Sequence, residues 1–205
     1  MERTDEVDVI DRKVSQLFAL VSEALAQATH ALLNGDLDMG RRVVAGDQIV
    51  DDLTAEVEML VWRQIDRPGR GPELRQLIGI LLILPELERS ADLAEHVAQR
   101  AVDNLGVDMS PLSRGIVQRM TEVALEMWRT AADAYGEGGD EAPRLAEDDQ
   151  EIDILRQRLM DEIAAEAMPT PVASQVTLLA RFYERLGDHA VNLARRIAVL
   201  RTPSP

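Results

Sequence analysis

Apolar and small residues along this chain return at alternating steps of three and four, the period of a helix with one buried side. The first run is Val7, Ile10, Val14, Leu17, Val21, Ala24, Ala28 and Ala31. Asn34-Gly35-Asp36 then supplies a turn and an acidic residue suited to cap the next helix's free N–H groups. A second helix, starting near Leu37, carries Val43, Val50, Leu53, Val57 and Leu60 and stops before Arg67-Pro68-Gly69-Arg70-Gly71-Pro72. A third, from about Glu73, presents Leu74, Leu77, Leu81, Leu84, Ala91, Ala98, Val102 and Leu105 to a core. Pro85 lies inside it and should kink it, because proline lacks an N–H and crowds the preceding turn. Gly106 suits that helix's C-terminus, and Ser110-Pro111 reads as a cap followed by a first-turn proline.

The second half repeats the plan. Ile116, Met120, Val123, Met127 and Ala134 mark a fourth helix, closed by Gly136-Glu137-Gly138-Gly139-Asp140. Leu145, Ile152, Leu155, Leu159 and Ile163 mark a fifth, ended by Met168-Pro169-Thr170-Pro171. Val176, Leu179, Tyr183, Leu186, Ala190, Leu193, Ile197 and Leu200 mark the sixth, before Thr202-Pro203-Ser204-Pro205, a tail expected to fray. The pattern predicts an all-α chain of six helices, two tandem antiparallel three-helix bundles over 1–107 and 108–201, with 202–205 outside them.

The halves also match residue by residue. With Glu88 set against Glu184, Arg89 and Asp92 meet Arg185 and Asp188, and Ala94, Ala98 and Arg100 meet Ala190, Ala194 and Arg196. Asp47-Gln48-Ile49-Val50-Asp51 matches Asp149-Gln150-Glu151-Ile152-Asp153 in the same way. An internal duplication accounts for both.

Composition narrows the function. Aromatic residues are 3% of the 205, which favours helices over strands. A net charge of −15, from 37 acidic and 22 basic residues, repels nucleic-acid phosphates and anionic membrane surfaces and points to cations or basic partners. No cysteine is present, so disulfides and thiolate metal sites are excluded and a reducing compartment is compatible. The acidic opening Met1-Glu2-Arg3-Thr4-Asp5-Glu6 is unlike a secretion signal, and Leu77 to Leu84 is too short to span a bilayer. A cytoplasmic location is the expectation.

Four acidic pairs stand at equivalent points of the two halves: Asp47/Asp51, Glu88/Asp92, Asp149/Asp153 and Glu184/Asp188. Residues four apart share a helix face, so each pair can ligate a cation; without one the two charges repel. Pairs such as Glu2/Glu6 and Glu122/Glu126 have the same spacing without the recurrence, so spacing alone carries little. Glu88 falls in the register of the third helix's apolar stripe, where it should face a neighbouring helix and need a positive partner. That partner is either a hard cation, Fe(III), Mn(II), Mg(II) or Zn(II), or an arginine, with Arg75 and Arg181 available. His30, His96 and His189 can add nitrogen ligands but read more simply as solvated or hydrogen-bonded side chains.

Leu87-Glu88-Arg89-Ser90-Ala91-Asp92-Leu93-Ala94 and Tyr183-Glu184-Arg185-Leu186-Gly187-Asp188-His189-Ala190-Val191-Asn192 resemble the two signature segments of the PhoU family of phosphate-transport regulators. Ala45-Gly46-Asp47 through Glu58 and Glu147-Asp148-Asp149 through Arg158 resemble its preceding acidic segments, so the likeness spans nearly the whole chain. The first signature departs from the usual pattern, with Ser90-Ala91 where Ile-Gly is typical and His96 where Asn is common. The resemblance implies two three-helix bundles and multinuclear iron or zinc clusters held by Asp47, Asp51, Glu88, Asp92, Asp149, Asp153, Glu184 and Asp188. It also implies a homodimer and a non-enzymatic role coupling the phosphate ABC transporter ATPase to a sensor histidine kinase, with membrane association only through those partners. Two other readings stay open: a metal-free helical scaffold, and a ferritin-like carboxylate-bridged metal protein. The latter class carries Glu-x-x-His on two helices, and that motif occurs nowhere here.

Overall fold

A computed structural model describes residues 2–67, 71–165 and 168–201, so the expected frayed tail at 202–205 and part of the 67–72 turn lie outside the described residues. The elements are α1 (Glu2–Asn34), α2 (Leu37–Ile65), α3 (Gly71–Val102), α4 (Leu105–Asp108), α5 (Pro111–Glu137), α6 (Ala142–Ala165) and α7 (Thr170–Arg201). Helices α1, α2 and α3 pack on one another, as do α5, α6 and α7; α3 against α7 and α1 against α5 join the two sets. A single apolar cluster runs through both sets, from Val14 and Leu17 on α1 to Leu186 and Leu193 on α7.

The helix ends follow local chemistry. Asp36 caps α2, its carboxylate accepting from the Met39 N–H at 2.9 Å. Ser110 caps α5 by accepting from the Ser113 N–H at 3.1 Å, with Pro111 in the first turn.

One expectation fails at the end of the third helix. The chain leaves α3 at Val102 and turns at Asn104, whose φ of 61° is left-handed; asparagine tolerates that region better than most side chains. Gly106 lies within the extra four-residue α4 and does not terminate α3. Glycine is needed there because a Cβ would sit 1.8 Å from the Leu32 carbonyl oxygen of α1.

Helix α3 runs unbroken through Pro85. The Arg196 guanidinium of α7 donates to the Leu82 carbonyl, in the turn that the proline crowds. Around it the α3/α7 contact repeats itself about the duplication. Arg196 pairs with Glu86 at 2.9 Å, and its equivalent Arg100 lies 4.9 Å over the ring of Phe182, the equivalent of Glu86. His189 donates from Nδ1 to the buried Glu86 carboxylate. A second polar tie crosses the molecule where Thr29 of α1, Thr121 of α5 and the buried Tyr183 of α7 share hydrogen bonds. Burial pushes the Tyr183 phenol up to about 12, so it stays a neutral donor.

Candidate metal centre

The carboxylates fall into two groups, one between α2 and α3 and one between α6 and α7. Val43, Val50, Leu53 and Val57 turn one side of α2 inward, and Asp47 and Asp51, at the edge of that stripe, are left half-buried and directed at α3. Ligand atoms of Asp47, Asp51 and Asp92 all lie within 4.8 Å of one another. Desolvation, then the charges of Asp92, Asp51 and Glu95, raise the Asp47 carboxyl to about 6, with His96 pulling the other way. The Asp47 Oδ1 atom is buried and has no hydrogen-bond partner among the described residues. An enclosed acceptor that lacks a donor is costly unless something positive approaches it. Asp47 and Glu95 also border a cavity of about 180 Å³ beside Gly46 and Ala91.

Glu88 does not join this group. Helix α3 packs on α1, α2 and α7 and so buries two adjoining stripes, Ile83, Glu86, Ser90 and Val97 as well as Leu77, Leu84, Ala91 and Ala98. Glu88 falls outside both and is exposed, contrary to the single-stripe register. Glu86 is the buried acid on this helix, and the sequence reading passed over it. The duplication held a signal for it: a charge stands where the other half has the aromatic Phe182.

In the second group, Asp149 is half-buried and likewise raised to about 6, by desolvation first and then by Asp188, Asp153 and Glu184. Gly187 permits this approach, since a Cβ there would sit 2.5 Å from the Asp149 Oδ1. Here arginines meet the acids. Arg181 hydrogen-bonds Glu184, and the Arg156 Nε lies 3.5 Å from Glu184 and 3.9 Å from Asp153. The sequence reading anticipated Arg181 and missed Arg156. Of the histidines, His30 and His96 are exposed and His189 is held by Glu86.

A family model described as the PhoU domain matches the chain in two stretches, residues 14–101 and 117–197, each containing one of these acidic groups. The chain belongs to the PhoU family. It is 29% identical, over 97% of its length and 86% of the relative's, to the phosphate-specific transport system accessory protein PhoU homolog of Rhizobium meliloti (strain 1021). Another PhoU homolog, from Aquifex aeolicus, is 30% identical over 90% of this chain and 86% of its own. The fold matches the crystal structure of PhoU from Pseudomonas aeruginosa with a TM-score of 0.87 at 24% identity, covering 96% of this chain and 97% of that one. For the PhoU of Streptococcus pneumoniae, described as a phosphate transport system regulatory protein, the TM-score is 0.84 at 22% identity, covering 96% and 95%.

A multivalent cation suits the geometry of the first acidic group. Three carboxylates converge with an unsatisfied oxygen among them, and an all-oxygen donor set selects hard ions such as Mg(II), Mn(II) or Fe(III). Among the described residues, no helix is long and apolar enough to cross a membrane.

Proposed function

We propose that this PhoU-family chain is a non-enzymatic regulator of phosphate uptake and phosphate-starvation signalling in the cytoplasm. It docks on the phosphate ABC transporter's ATPase and on a sensor histidine kinase, as a homodimer built of two repeats over 1–107 and 108–201. The observation that carries the regulatory reading is the family match over both halves, with relatives named as phosphate-specific transport accessory proteins. The acidic convergence at Asp47, Asp51 and Asp92 supports a bound cation, iron or zinc in a cluster or a simpler Mn(II) or Mg(II) ion. That ion would supply positive charge, fixing α2 against α3 and shaping the surface that partners read. Asp47, Asp51 and Asp92 would hold it; Glu88, being exposed, would have to swing inward to take part.

A metal-free scaffold is favoured by one observation only, the arginines that occupy the second acidic group. Deleting the gene in its own host tests the main reading. A phosphate-starvation reporter should switch on despite abundant phosphate and be silenced again by a plasmid copy, and tagged protein should retain the transporter ATPase on purification. A reporter indifferent to the deletion would count against the regulatory role.

A further inference from the structure

The two acidic centres are copies of one plan, yet they differ in what stands among their carboxylates. In the second, the Arg156 Nε stands 3.9 Å from Asp153 and 3.5 Å from Glu184, close enough for charge attraction. Neither it nor the Glu184 Oε2 has a hydrogen-bond partner among the described residues, while Arg181 hydrogen-bonds the other oxygen of Glu184. The Glu184 side chain is only 17% exposed. Matching Asp47 with Asp149 places Thr54 at the position of Arg156, and matching Glu88 with Glu184 places Pro85 at that of Arg181. Thr54 is buried and uncharged, and proline carries no side-chain donor at all. The first centre therefore lacks counterparts of both arginines, and Glu88, the equivalent of Glu184, is turned out to solvent. Its remaining carboxylates converge on the partnerless Oδ1 of Asp47.

We propose that Arg156 serves as a built-in counter-ion to Asp153 and Glu184, so that the second centre is partly neutralised from within while the first depends on an added multivalent cation. This rests on the cation reading given above. A guanidinium stays charged at any physiological pH and is tethered to α6, so it competes with a soluble ion by standing against the same carboxylates and by repelling the ion's charge. The consequence is an ordered pair of sites. At limiting metal the α2/α3 centre fills first, and the α6/α7 centre fills only when the ion is abundant enough to displace Arg156. A single chain then reads cation concentration at one centre and keeps the other folded without it.

The residues to exchange are those that the duplication itself pairs. Free Mn(II) would be followed by its electron paramagnetic resonance signal while the full chain is titrated, with circular dichroism confirming each variant's fold. The wild type should show one tight class of site. Asp47→Asn with Asp92→Asn should weaken that class at least tenfold, while Asp149→Asn with Asp188→Asn should change it less than twofold. Arg156→Thr should create a second class, at least tenfold tighter than any second-site binding in the wild type; Arg156→Gln, at the same half-exposed position, should do the same. Thr54→Arg, where it folds, should weaken the first class about tenfold. Two equal classes in the wild type, or no gain in either Arg156 variant, would overturn this inference and leave the cation reading standing. Mn(II) binding by none of the proteins would overturn both.

Discussion

Replacing Asp47 with asparagine keeps the shape of the side chain and removes the charge that burial and its neighbours oppose. Desolvation, helped by Asp92 and Asp51, raises the native carboxyl from 3.8 to about 6, so the folded chain holds that proton more tightly than the unfolded chain does. Stability from this group is therefore complete below pH 3.8, falls as pH rises towards about 6, and is absent at neutral pH. At about 1.4 kcal/mol for each unit of pKa, the unscreened penalty near pH 7.5 is on the order of 3 kcal/mol. Asp47 is half-exposed, and solvent screening reduces this to about 1 kcal/mol. For a chain of this size about 1 kcal/mol moves the melting temperature by roughly 2–4 °C. Differential scanning calorimetry in a chelating buffer should find Asp47→Asn more stable than the wild type by that amount at pH 7.5, with the gap closing as pH falls to 4. Added Mn(II) should reverse the order, raising the wild type and leaving the variant unmoved. An asparagine variant that melts lower than the wild type in chelator at pH 7.5, or a gap independent of pH, would refute the reasoning.

Glu86→Ala removes the acid that joins His189 and Arg196 across α3 and α7; with Arg196 still reaching water, the loss should be about 2–3 kcal/mol in urea unfolding, and a loss under about 0.5 kcal/mol would show that the contact is not a tie. Gly106→Ala places a methyl group against the Leu32 backbone and should cost about 1–3 kcal/mol in the same assay, accompanied by faster amide exchange in α4.

Six of the helices were legible because each keeps a three-and-four stripe over many turns and ends at residues with a physical reason to stop a helix, Asp36 and Ser110 among the clearest starts. The short α4 was not, since four residues show no period, and Gly106 read as a stop when it actually relieves a clash with α1. The acidic centres could be located because the duplication singled out four pairs from the many that an acidic chain contains. Which oxygens converge could not be read from spacing. Helix α3 packs mainly on α1, α2 and α7 and buries more than one stripe, which puts Glu86 inside and Glu88 outside. Arg156 was within reach of the sequence, opposite Thr54 in the same internal alignment, but its role depends on α6 meeting α7 at that height, a tertiary fact. The buried ties among Thr29, Thr121 and Tyr183 likewise join residues far apart in the chain.

The central claim is that Asp47, Asp51 and Asp92 need a cation between them. Elemental analysis of protein purified without chelators, for the wild type and for the triple Asp-to-Asn variant at those positions, tests it most directly. Bound iron, zinc or manganese in the wild type, lost in a variant whose circular dichroism is unchanged, is the predicted result. Metal content equal in the two proteins, or absent from the wild type under every preparation, would contradict it.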